Sequence, residues 1–246
     1  MPVTQPSPSK PEDPFPELYF ANPAIWAIVL LPGVFLGMTA IFLIAMWDRL
    51  PGRWVIHWGA SGQPDGWATK TPFWVFFPIG FGFGLWLLIN TMGWITGTLL
   101  RKHKTLPVDA AAELAVANMV LIHTLAAGLA SVFMILAVWL PLGRPDNPTG
   151  MILVIVGILA LAMVSGIRRL GAVIRSLHQR KIPGLEGYTG VLYRNPNDPR
   201  LWVPKLSGLG YTINFAHPKG WLVFLVMIGV PLLIVLGTIL LLASAR

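Results

Sequence analysis

The chain has 246 residues, 55% of them apolar and only 11% charged, and it contains no cysteine. A water-soluble domain of this size needs more polar surface than that to cover its core, so an ordinary soluble fold is excluded. The formal charge of +8 could suit nucleic acid, but the cations cluster between apolar segments and no recognition motif accompanies them, so a nucleic-acid partner is not expected. Without cysteine there is neither a disulfide framework nor a thiolate metal site.

Residues 1–23, MPVTQPSPSKPEDPFPELYFANP, form a proline-rich arm. It lacks the basic start and small-residue cleavage site of a signal peptide and is expected to be retained. Six prolines before residue 17 and a seventh at Pro23 favour an extended, polyproline-like tail with no core of its own. Any order in the arm is expected to come from packing on a partner chain.

Residues 24–46, 73–100, 151–167 and 220–245 contain no Asp, Glu, Lys, Arg or His, and residues 110–141 contain only Glu113 and His123. A membrane-crossing helix needs about 20 apolar residues at ~1.5 Å rise to cover ~30 Å of hydrocarbon, so each segment except the fourth is long enough alone. The expected fold is an all-α integral membrane protein of about five transmembrane helices, with a small β-like cytoplasmic insertion before the last. Residues 24–180 make a four-helix membrane domain, 181–218 a small cytoplasmic module and 219–246 the final transmembrane helix. Loops 101–109 and 168–219 carry 12 of the 18 Lys and Arg residues. The positive-inside rule therefore places the N-terminus inside and the C-terminus outside a bacterial cytoplasmic (inner) membrane.

The loop 47–72, expected to face outward, reads Leu50-Pro51-Gly52-Arg53-Trp54-Val55-Ile56-His57-Trp58 and continues to Pro64-Asp65-Gly66-Trp67. Trp54, Trp58 and Trp67 suit an interfacial layer, since an indole is half apolar and half polar. Gly59, Gly62 and Pro64-Asp65-Gly66 allow tight turns. His57 and Asp65 could pair, or form half a metal site, although no second His or Glu lies in the loop. Trp54, His57, Trp58, Asp65 and Trp67 are the candidate residues for binding a partner or peptide.

The Leu-Pro start, His57-Trp58, the gap to Pro64-Asp65-Gly66-Trp67 and Lys70 together resemble a bacterial domain of unknown function found at the start of Sdp-type immunity proteins. The resemblance covers about residues 25–75. It implies a polytopic membrane protein without a known catalytic site, of a kind that protects a cell from its own secreted toxic peptide. No counterpart of the C-terminal helical region of those proteins is evident. A second stretch, from Tyr193-Arg194-Asn195-Pro196-Asn197-Asp198-Pro199-Arg200 to Gly210-Tyr211-Thr212-Ile213-Asn214-Phe215-Ala216-His217-Pro218, resembles a small uncharacterised module that often accompanies the first. Val191 to Tyr193, Leu201 to Val203 and Tyr211 to Phe215 read as short strands between Asn-Pro, Asp-Pro and glycine turns, among them Gly208. Asn195, Asn197 and Asp198 lack the terminal bidentate Glu of a calcium loop and read as turn residues.

Residues 167–180 keep helical spacing. Ile167, Leu170, Ile174 and Leu177 share one face, and Arg168 and Arg175 lie on another. With Arg169 and Arg180, these cations form a basic amphipathic extension of the fourth span, expected at the membrane surface. His123 sits near the middle of the third apolar segment, where an ionisable residue is a functional candidate by default. The favoured reading is a neutral imidazole bonded to a backbone carbonyl. Pigment or haem ligation is the alternative, but no second His lies in a span to complete a bis-His site. No metal site and no cofactor are expected. Gly80, Gly82 and Gly84, with Gly93 and Gly97 further on, offer close helix contacts.

No catalytic constellation is present, and an enzyme is not expected. Two functions compete. One is a non-catalytic accessory or scaffold subunit of a larger membrane complex, photosynthetic or respiratory for example, docking through its arm, its glycine-bearing spans and its aromatic cap, with lipids and other membrane subunits as partners. The other is a peptide-sensing or toxin-immunity protein of the Sdp type. The sequence leans to the first, and a transporter is a distant third.

Overall fold

The computed structural model describes residues 12–59, 62–103, 105–143, 148–189, 192–206 and 210–244. The proline-rich stretch before Glu12, the Val191 start of the first expected strand, and Gly208 lie outside the described residues.

Five helices follow in order: α1 (Pro23–Ala45), α2 (Pro72–Arg101), α3 (Val108–Leu142), α4 (Thr149–Gln179) and α5 (Gly220–Ser244). The first two begin where the sequence tells them to. Asn22 Oδ1 accepts from the Ala24 amide at 3.1 Å with Pro23 in the first turn, and the Thr71 hydroxyl accepts from the Trp74 amide at 3.4 Å with Pro72 behind it. Helices α1 to α4 are each long and apolar enough to cross a membrane, and α5 is apolar over Gly220–Ile234. The chain is thus an all-α protein of membrane type.

Helix α3 is the hub. It packs on α1, α2 and α4, while α1 also packs on α2 and the extensive contacts of α4 are with α3 alone. Small residues set the close approach of α2 to α3. A Cβ added at Gly82 would collide with Phe133, one at Gly97 with Met119, and one at Gly93 would lie 3.0 Å from the His123 ring, whereas Gly80 and Gly84 face open space. On the other side, Gly128 lies against Ala162 and Gly166 against Leu121.

These pairings fix depth as well as packing. The 35 residues of α3 extend about 52 Å, well beyond ~30 Å of hydrocarbon. Tyr19, four residues before α1 begins, touches His123, so His123 lies level with the entry of α1. In a helix this long the middle of the helix need not coincide with the middle of a bilayer. From His123 to Leu142 is ~28 Å, close to one hydrocarbon thickness. About the first four turns of α3 therefore extend past the entry of α1, together with the last turns of α4, which runs unbroken to Gln179.

The projecting end has a core of its own. Phe15, Tyr19, Leu114, Met119, Ile174, Leu177 and Leu185 are all at most 2% exposed. The arm contributes two of these through a turn of π-helix, Pro16–Phe20. That differs from the expected extended tail, since burial of Phe15 and Tyr19 offsets the entropy of ordering a proline-rich segment. Beneath the bundle, β3 (Trp202–Pro204) pairs antiparallel with β4 (Tyr211–Ile213), and Tyr193 bridges to Tyr188 and Asn214. At the opposite end a hairpin of β1 (Arg53–Trp58) and β2 (Pro64–Thr69) closes the bundle.

Candidate functional site

The hairpin is anchored from below and decorated above. Trp54, Val55 and Ala68 are buried, and Trp54 and Ala68 join Leu50 in a second core that includes Val75 and Ile79 of α2 and Ala137 of α3. Trp58 leans on Trp139 of α3, with ring centroids 6.3 Å apart. The antiparallel register pairs Trp54 with Ala68 and Val55 with Trp67, then shifts at a bulge so that His57 opposes Gly66. Gly66 is required there, because a Cβ would stand 2.8 Å from His57 Cβ.

Asp65 and Trp67, two residues apart on β2, lie on one face of the hairpin, and each engages a residue of β1. His57 Nδ1 pairs with the Asp65 carboxylate, and both side chains are open to solvent. The Arg53 guanidinium sits 4.6 Å from the Trp67 ring centroid, and Trp67 is 44% exposed. Of the five residues singled out from the sequence, His57, Asp65 and Trp67 thus form an exposed row. Trp54 is an anchor, and Trp58 is a prop against α3. Arg53 belongs to the row and was missed. Its position fourteen residues before Trp67 became meaningful only once the strands were paired.

His123 occupies a different site. It is fully buried, and its Nε2 is 2.8 Å from the Tyr19 hydroxyl. Burial pushes the Tyr19 phenol up to about 12, so it stays protonated and can donate. The hydroxyl is the partner of His123, where a backbone carbonyl was expected. Phe15 stacks on Tyr19 at 5.4 Å, and Trp94 meets it edge-on at 4.8 Å. Arg101 covers Phe15 at 3.9 Å and pairs with Asp13. Nε2 is thus engaged by Tyr19, while Nδ1 is buried with no hydrogen-bond partner among the described residues.

The basic extension divides in two. Arg180 pairs with Glu113 at 2.7 Å and with Asp109 at 3.6 Å, tying α4 to α3. Arg168, Arg169 and Arg175 are exposed and have no ion-pair partner among the described residues.

The module is knotted by Asn214, which is fully buried. Its amide nitrogen donates to the carbonyls of Asn195 and Asp198, both at 2.9 Å, and its oxygen accepts from the amides of Asn195 and Ala216. Asn195 Oδ1 accepts from the Asn197 amide, and Asp198 receives Arg200 and the Tyr193 hydroxyl. The polar side chains of this stretch are occupied in holding its turns. Leu185, Ile182 and Leu206 pack the module onto the bundle. A cavity of about 210 Å³ remains between them, reaching Asn118 and Leu121 of α3 and Tyr188 and Lys205 of the module.

Comparison with known families gives two partial matches. Residues 34–82 match a domain of unknown function, DUF1648, and residues 196–221 match a family of unknown function, DUF5808. The first spans the latter half of α1, the hairpin and the start of α2. The second spans β3, β4 and the entry to α5. No curated protein and no solved structure matches the chain.

Proposed function

We propose that this protein is a non-catalytic receptor of a bacterial cytoplasmic membrane, which recognises a secreted peptide on its hairpin and passes the event to its cytoplasmic module. The basic loops on the module side support an outward-facing hairpin under the positive-inside rule. The observation that carries the reading is that α3 meets Trp58 of the hairpin through Trp139 and borders the module cavity through Asn118 and Leu121. One rigid helix therefore joins an exposed row of cation, indole, imidazole and carboxylate to a small folded module. Exposed aromatic and arginine side chains on a buried base are the usual composition of a binding hot spot. The resemblance of the His57 to Trp67 stretch to the first domain of Sdp-type immunity proteins supports a peptide as the ligand.

The test is binding of peptides fractionated from culture medium to the full chain in lipid nanodiscs. His57→Ala and Trp67→Ala are each expected to weaken binding by tenfold or more, in the range of a hot-spot residue, with the fold intact. Equal binding by the wild type and both variants would remove the reading.

The accessory-subunit alternative retains one specific support. Among the described residues, helix α5 has no substantial packing on α1 to α4, and Leu222, Leu225, Val226, Met227 and Ile228 are all exposed, although they point around the whole helix. Its other support, an arm ordered on a partner, is weakened because Phe15 and Tyr19 are buried in the chain's own bundle.

A further inference from the structure

Helix α4 flanks α3 like a side wall, leaving a groove on each side. The groove toward α2 is roofed by the module through Tyr188, Lys205 and Leu206. The groove toward α1 is not. It is a cavity of about 530 Å³ whose apolar walls include Leu18 of the arm, Ile25 of α1, Val116 and Val120 of α3 and Val173 of α4, with Arg169 at its lip.

The level of this lip matters. Gly166 packs on Leu121, two residues from His123 on α3, and His123 marks the entry of α1. Arg169, one turn further along α4, therefore lies where the hydrocarbon gives way to the headgroups on the module side. Arg168 and Arg175 stand on the same stretch, and an Arg175 guanidinium nitrogen lies back over Gly171, 3.3 Å from where its Cβ would be. That brings its charge toward the bilayer. The carboxylate bordering the groove, Glu113, is already paired with Arg180. Asn22, at the N-terminus of α1, also lines the groove, so the positive end of that helix dipole faces the same space.

We infer that the α1/α4 groove is a binding site for one anionic glycerophospholipid of the module-side leaflet, its phosphate held by Arg169 and an acyl chain laid over Val116 and Val120. The charge at the mouth selects an anion, and the apolar walls beneath select a lipid over a free anion. A cation at this level contributes about fivefold in affinity for an anionic surface.

The experiment is native mass spectrometry of the full chain in detergent, titrated with phosphatidylglycerol, phosphatidylcholine or inorganic phosphate. One phosphatidylglycerol is expected to bind per chain, ahead of phosphatidylcholine. Arg169→Gln is expected to lower that affinity about fivefold. Ala172→Phe, which adds bulk to an exposed position lining the groove, is expected to block binding with the charge untouched. Thermal melting of each variant without added lipid confirms that it is folded. Equal affinity for the two lipids, equal affinity of wild type and Arg169→Gln, or displacement of the lipid by millimolar inorganic phosphate would each overturn the assignment.

Discussion

The two ends of the bundle solve opposite problems. At the module end, the arm, α3, α4 and the strands bury large side chains completely, with Phe15, Tyr19, Leu177 and Leu185 at most 2% exposed. At the hairpin end, burial stops at Trp54, Val55 and Ala68, and the residues beyond them face outward with their charges paired on the surface. The module end folds its large side chains into a core of its own, whereas the hairpin end is held rigid while its polar and aromatic groups are left available. Stability and recognition are thus separated along α3. Substitutions in the core of the first end should act on folding, and substitutions on the hairpin face on peptide binding.

Tyr19→Ala should break that contrast most severely. Removing a fully buried aromatic costs about 3–5 kcal/mol, and the imidazole of His123 loses its partner. A large drop in the unfolding midpoint in detergent is the expected result. Tyr19→Phe isolates the hydrogen bond and should cost ~1–3 kcal/mol, the penalty for one buried polar atom left unpaired. Next is Gly97→Leu, which forces α2 off Met119 and should destabilise by ~1–3 kcal/mol, while the equivalent change at Gly84, where space is open, should be close to silent.

A smaller and more local effect is expected at Asp198. Hydrogen bonds from Arg200 hold its carboxyl well below the usual carboxylate range. A depressed folded value means that its stabilising contribution is fully present at neutral pH and is lost only as pH falls below the ordinary carboxylate value and through the folded one. Hydrogen exchange of Tyr193 to Asn214 should accordingly be protected equally at pH 7 and pH 5, and Asp198→Asn should reduce that protection at both. The smallest change in stability is expected for Trp67→Ala, below ~1 kcal/mol for an exposed indole and its cation, although peptide binding should weaken by about tenfold or more.

Much of the architecture was legible in sequence because apolar runs of helical length have few alternatives in a chain this poor in charge. The first two helices start within a residue of the uncharged runs 24–46 and 73–100. Two of the three expected module strands were legible to within a residue or two from their turns, whereas Tyr193, in the first, makes only isolated bridges. What escaped was everything set by long-range contact. Tyr19 and His123 are 104 residues apart, and nothing in a proline-rich arm announces that two of its aromatics fill a bundle. The partner of His123 was misread as a backbone carbonyl because hydropathy shows how long α3 is and not which side chains come to face it. Arg180 looked like its basic neighbours until Glu113 and Asp109 came to face it. Within the hairpin, Trp54 and Trp67 are the same residue type with opposite fates, decided by strand register and a bulge that composition does not encode.

The central claim is that recognition belongs to the hairpin face and not to the apolar surface of α5. The most direct measurement places a photocrosslinking amino acid at position 67 or position 225 of the full chain in living cells and identifies what each captures. The expected result is a secreted peptide joined at position 67, one that then binds the purified wild type and not His57→Ala, with only lipid at position 225. A membrane subunit captured stoichiometrically at position 225, with nothing at position 67, would contradict the receptor reading and establish the protein as part of a larger assembly.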